Sequence, residues 1–152
     1  MFRGLNTVNV DAKGRLAIPA RFREILAALD RVQLILTLNP WDKCLWLYPL
    51  EEWQDIELKL SGLSDYDKSS RRTKQIMRGY ATDCSCDGQG RVLLPQELRE
   101  IAGLTKQVVL LGQGNKLEIW DQSAWHAERD GWLADLGSSA DPASSALESL
   151  SL

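Results

Sequence analysis

Two blocks of this sequence place charged side chains at a fixed spacing around a turn. DAKGRLAIPARFREI, Asp11 to Ile25, returns 76 residues later as DGQGRVLLPQELREI, Asp87 to Ile101, identical at seven of fifteen positions. Each block sets an aspartate four residues before an arginine with a glycine between: Asp11, Gly14, Arg15 and Asp87, Gly90, Arg91. Aspartate at the head of a turn caps nearby backbone N–H groups, and glycine can take positive φ. An arginine on such a hairpin can pair bidentately with guanine O6 and N7. Catalytic chemistry has no comparable set. The single histidine, His126, lies between Trp125 and Ala127, far from any nucleophile in a recognisable motif, so no enzyme is predicted. Cys84 and Cys86, with Cys44 and His126, lack the spacing of a zinc module, and no metal or cofactor is expected. Gly88-Gln-Gly90 and Gly112-Gln-Gly114 lack the strand–loop–helix context of a phosphate loop and read as hairpin turns.

The elements around the motifs repeat as well. In the first copy, Thr7–Val10 alternates like a strand, Asp11–Gly14 turns, and Arg15–Ile18 resumes a strand. Pro19 suits a first helical position, and Phe22, Ile25, Leu26 and Leu29 share one helix face. In the second copy Pro95 opens the helix, Leu98, Ile101 and Ala102 line it, and Gly103 stops it. A second hairpin follows in each: residues 32–39 returning as 44–48, and 107–111 returning as 116–120 after a turn at Gly112–Asn115. Each unit is therefore β-β-α-β-β over about 45 residues, too small to bury much core alone. Two units packed as an internal pseudo-dimer would share one. The expected domains are 5–52 and 81–124 for the two units, 53–80 for a helical connector, and 125–152 for a C-terminal helix and mobile tail. The connector should carry Trp53, Ile56, Leu60 and Leu63 on one helix, then a second helix capped by Ser69 or Ser70. Trp125, Trp132 and Leu136 form a third apolar stripe.

The net charge of −3 conceals a segregated distribution. Residues 1–31 carry +3, residues 68–78 carry +5 with no acid, and residues 121–152 carry −5. Such asymmetry signals partners. The Lys68–Arg78 run fits a phosphate contact, an interface with the acidic C-terminal region, or a solvated helix face. The copies also differ: window 11–24 is +2 and window 87–100 is −1. No apolar run approaches bilayer length, the N-terminus lacks a signal-peptide core, and the few cysteines suit a reducing compartment, so no membrane is expected.

DAKGRLAIP followed by a helix resembles the SpoVT/AbrB-type DNA-binding unit. Two such units, the opening MFRG, the paired Asp-x-x-x-Arg motifs and LYPLEEW (Leu47 to Trp53) together are similar to the MraZ family, over residues 1 to about 136. The resemblance implies a mixed α+β fold of the AbrB-like swapped-hairpin/double-psi barrel type. It implies a transcriptional repressor of its own division and cell-wall gene cluster that binds promoter direct repeats. It also implies a closed homo-oligomeric ring, a cytoplasmic, nucleoid-associated location, and no small-molecule substrate. On this footing the more positive first copy faces double-stranded DNA: Arg15 reads or anchors it, while Lys13, Arg3 and Arg21 contact phosphates. Residues kept in both copies, Asp11, Gly14 and Arg23 with Asp87, Gly90, Arg91 and Arg99, are expected to brace the turns. Arg15 has a counterpart too and could share that bracing role. The competing reading is an antitoxin-like or ring-forming interaction protein without DNA readout.

Overall fold

The computed structural model describes residues 1–28, 33–136 and 149–151. The chain divides into two compact units, Met1–Gln122 and Ser123–Leu152. In chain order the elements are β1 (Phe2–Asn9), β2 (Arg15–Ala17), α1 (Ala20–Ala28), β3 (Gln33–Leu38), β4 (Leu45–Pro49), α2 (Leu50–Ser61) and α3 (Lys68–Gly79). Then come β5 (Thr82–Ser85), β6 (Arg91–Leu93), α4 (Gln96–Ile101), β7 (Gln107–Gly114), β8 (Leu117–Asp121) and α5 (Gln122–Asp135).

The two copies are interleaved. One antiparallel sheet runs β1-β7-β8-β4-β3-β5, and β2 and β6 form a separate two-stranded ribbon. β1 of the first copy pairs with β7 of the second, Val8 opposite Val108, and β5 of the second pairs with β3 of the first, Leu34 opposite Cys84. Each copy thus donates its first strand to the other. The copies also meet at β4 and β8, where Trp46 lies opposite Glu118. There Glu118 accepts hydrogen bonds from the indole N–H groups of Trp46 at 2.8 Å and Trp120 at 2.9 Å.

Equivalent residues of both copies fill one core. Leu16, Ile18, Phe22 and Leu26 join Val92, Leu94, Leu98 and Ala102, all buried, with Leu34, Leu36, Val108 and Leu110 from the sheet. Helical periodicity predicted Phe22, Leu26, Leu98 and Ala102 among these. Leu29 lies outside the described residues, as does most of the expected mobile tail. Ile101 is exposed although it was expected on the same face as the buried Leu98 and Ala102.

Four other expectations change. The double-psi barrel does not close: the described strands leave β1 and β5 as sheet edges and the ribbon apart. Pro19 and Pro95 follow the ribbon strands within two residues, and a residue without an N–H cannot extend a ladder. Next, β1 starts at Phe2 and β7 runs on through Gly114, so Gly112 is a strand residue rather than a turn. A Cβ on Gly112 would fall 2.4 Å from the Arg3 backbone nitrogen, so only glycine lets β1 approach. The α3 cap is Asp67, which accepts the Ser70 N–H at 2.9 Å; neither serine caps it. In α5, Trp125 is buried and meets Trp132 edge-on at 5.6 Å, but Trp132 and Leu136 are exposed.

Candidate nucleic-acid interface

The two Asp-x-x-x-Arg turns are built alike. Asp11 Oδ1 accepts the N–H groups of Lys13 and Arg15, both at 2.9 Å, and Oδ2 accepts Arg15 Nε at 2.8 Å. Asp87 repeats the set with Gln89 at 2.8 Å, Arg91 N–H at 2.9 Å and Arg91 Nε at 2.9 Å. The turns close through Asp11 N–H to the Arg15 carbonyl at 2.8 Å and Asp87 N–H to the Arg91 carbonyl at 2.9 Å. The Arg15 and Arg91 backbone N–H groups are the main reason each carboxyl titrates below its ordinary value, the neighbouring guanidinium adding to it. In both arginines the aspartate engages Nε, which leaves the terminal guanidinium nitrogens for a ligand.

The ribbon decides where those guanidiniums go. Arg15 pairs with Leu93, Leu16 with Val92, and Ala17 with Arg91. Leu16 and Val92 are buried. Side chains alternate along a strand, so Arg15, Ala17, Arg91 and Leu93 share the opposite, outward face. The expected split into a DNA-facing copy and a scaffold copy would thus be a split between two ends of one ribbon. Lys13 and its turn lie at the Arg15 end, with Gln89 and its turn at the other. Nothing in the sequence placed Arg91 on this face, because the β2–β6 pairing joins strands from different copies.

Arg23 and Arg99 cross over to brace the partner copy's turn. Arg99 of α4 stands where a Cβ on Gly14 would project, 2.8 Å from its Cζ, and its Nε donates to the Leu94 carbonyl at 3.0 Å. Arg23 of α1 stands against Gly90, with Cδ at 2.5 Å from such a Cβ. Gly14 and Gly90 also have φ of 84° and 74°. Backbone bonds tie the turns to the opposite strand, Leu94 N–H to Gly14 at 2.8 Å and Ile18 N–H to Gly90 at 2.9 Å. Gly14→Ala and Gly90→Ala should each cost about 1–3 kcal/mol from backbone strain and displacement of the arginine. Gly88→Ala, with nothing within 4 Å of the new Cβ, should leave the urea unfolding midpoint nearly unchanged.

The remaining sequence-predicted contacts are dispersed. Lys13 is exposed on the turn. Arg21 donates to Asn6 Oδ1 and lies 4.7 Å from the centroid of the Phe22 ring, so it braces α1 against β1. Arg3 faces Gln113 at the far end of β1, six residue steps or roughly 20 Å of strand from Asn9. The structure therefore brings Lys13 and Arg15 together but not Arg3. In α3, Arg71 donates to the Asp65 carbonyl at 2.8 Å, Lys74 pairs with Asp65, and Arg78 donates to Ser61 at 3.0 Å. Three of the five cations of that run tie the α2–α3 connection together. Cys44 is buried beside Asn39, burial pushes the Cys84 thiol up to about 12, and no group of three metal-ligating side chains gathers among the described residues.

Sequence comparisons agree with this duplicated architecture. A family model described as "MraZ protein, putative antitoxin-like" matches twice, at residues 1–76 and 77–144. The chain is 47% identical to the transcriptional regulator MraZ of Halorhodospira halophila over 152 residues, all of both chains. It is 49% identical to that of Hydrogenovibrio crunogenus over 151 residues, covering 99% of this chain and 98% of the relative. The Legionella pneumophila (strain Corby) protein of the same name is 43% identical over the full length of both. With both halves matched by the family model and full-length relatives well above 30% identity, this chain belongs to the MraZ family.

Proposed function

We propose that this protein is a DNA-binding transcriptional regulator that acts through the outward ribbon face. The observation that carries the reading is the placement of Arg15, its terminal nitrogens unengaged among the described residues, on an antiparallel ribbon narrow enough for the major groove. The family relatives carry the name transcriptional regulator, which supports the same class. In this reading unit 5–52 faces DNA and unit 81–124 is mainly scaffold. Arg15 reads or anchors a base edge and Lys13 neutralises an adjacent phosphate. Arg21 and Arg3 reach phosphates only where the duplex runs along β1.

The finer assignment is repression of the chain's own division and cell-wall gene cluster through promoter direct repeats. A closed homo-oligomeric ring adds avidity, because linked protomers on successive repeats raise apparent affinity without new contact types. The protein then works in the cytoplasm, on the nucleoid, without cofactor or catalysis; no helix among the described residues is long and apolar enough to cross a membrane.

The test is binding of the full-length protein to a promoter fragment carrying the repeats, against the same fragment with the repeats scrambled, over a salt series. We expect preference for the repeats and a log–log salt slope of about −0.9 per phosphate neutralised. Salt-independent binding, or none, refutes the reading in favour of a purely protein-binding ring.

A further inference from the structure

The positive charge at the Arg15 end of the ribbon does not come from the first copy alone. β1 pairs with β7 so that Asn9 lies opposite Gln107, and the next N–H, from Val10, donates to the Lys106 carbonyl at 2.7 Å. Lys106 is thereby fixed one residue from Asp11. Asp11, Ala12, Arg99 and Lys106 line a common open groove beside the turn. Arg99 and Lys106 both belong to the second copy. No ion pair is recorded for Lys106 among the described residues, and it is exposed.

The other turn has an equivalent groove, lined by Arg23, Leu26, Ala27, Asp87 and Gly88. There, among the described residues, Arg23 lies beside Leu26 and Ala27, and Arg91 donates to Asp87 as Arg15 does to Asp11. The strand exchange brings a lysine of the second copy to the first turn. Counting only within each copy, the turn-one end gains Lys13 over Gln89; the exchange adds Lys106 as well.

We propose that the phosphate-binding site beside the first turn is composite, with Lys13 from the first copy and Arg99 and Lys106 from the second, all directed at the DNA backbone. Lys106 is the phosphate contact, and Arg99, braced on Gly14 and Leu94, sets the turn and adds charge at the groove wall. The second copy then supplies part of the first copy's DNA site in addition to scaffold. This rests on the reading of the ribbon as the DNA face.

Lys106→Gln tests it, with Lys59→Gln on the exposed side of α2 as a control of equal charge change. Both variants and Arg15→Ala are titrated with repeat and scrambled promoter DNA across the salt series, after circular dichroism and size exclusion match them to the parent. For Lys106→Gln we expect the salt slope to fall by about one unit, with weakening equal on both DNAs, as for a phosphate contact. Lys59→Gln should keep the parental slope. If Arg15→Ala loses binding while Lys106→Gln keeps the parental slope and affinity, the composite site is wrong and the ribbon reading stands. If the parent itself shows no salt-dependent binding, both fall together.

Discussion

Arg15→Ala should lose repeat-specific DNA binding while Arg91→Ala keeps most of it. The pair is a matched control because both arginines make the same local bonds. Each donates Nε to its aspartate, at 2.8 Å and 2.9 Å, and each backbone N–H bonds the same carboxylate at 2.9 Å. Loss of the side chain therefore removes the same turn brace in either copy, an exposed ion pair that solvent screens in the same way at both ends. Any difference in DNA affinity beyond that reports the ligand. A bidentate arginine–guanine pair discriminates by about 1–3 kcal/mol, so repeat binding should weaken about fivefold to 150-fold in Arg15→Ala. In Arg91→Ala we expect only a shallower salt slope, since Arg91 shares the outward face at the end away from Lys13. Arg15→Lys adds a second axis: it keeps the charge and loses the fork, so it should bind scrambled DNA as the parent does and lose preference for the repeats. Equal loss in both alanine variants with parental unfolding midpoints would make both ends readers. Equal loss together with unfolding would make the motif a brace alone.

That the turns could be read from sequence and the interface could not has a physical origin. Asp11–Gly14 and Asp87–Gly90 are local: the aspartate caps N–H groups two and four residues on, and such bonds need no tertiary context. The helix faces around Phe22 and Leu98 follow from 3.6-residue periodicity for the same reason. Strand pairing is different. β1 faces β7 about a hundred residues away, and alternation within β1 says which side is buried but not what it pairs with. The Gly112 error follows from this. A Gly-Gln-Gly run beside a strand looks like a turn until β1 lies across it. The position of Lys106 was not legible because its sequence neighbours belong to the second copy while Val10, Asp11 and Ala12, beside which it lies, belong to the first. The Asp67 cap was within reach: Asp67 stands three residues before Ser70, the spacing of an N-cap and its N3 partner. The basic run Lys68–Arg78 drew attention for its charge, yet Arg71, Lys74 and Arg78 fold back onto Asp65 and Ser61.

The exchange also fixes how the protein unfolds. Phe22 of the first copy is fully buried and meets Phe2 edge-on at 6.0 Å; Leu98, its counterpart, is also buried in the same core. Were the copies independent domains, Phe22→Ala would melt one and leave the other, producing two transitions. Here β1 hydrogen-bonds to β7 and β5 to β3, so neither copy keeps its sheet if the other unfolds. We expect Phe22→Ala to cost about 3–5 kcal/mol and Leu98→Ala about 2–5 kcal/mol, each as a shift of one cooperative transition for Met1–Gln122. At about 2–4 °C per kcal/mol for a chain of this size, the Phe22 variant should melt on the order of 10 °C lower. Near-UV signals from Trp46 and Trp120, which meet at Glu118 where the copies join, should fall together with the far-UV signal. A biphasic melt, with the second copy surviving the loss of Phe22, would contradict the shared core. The same coupling explains why the proposed DNA face cannot be cut out as an isolated first copy: without β7 and Arg99, β1 loses its ladder partner and the Gly14 turn loses the arginine packed against it.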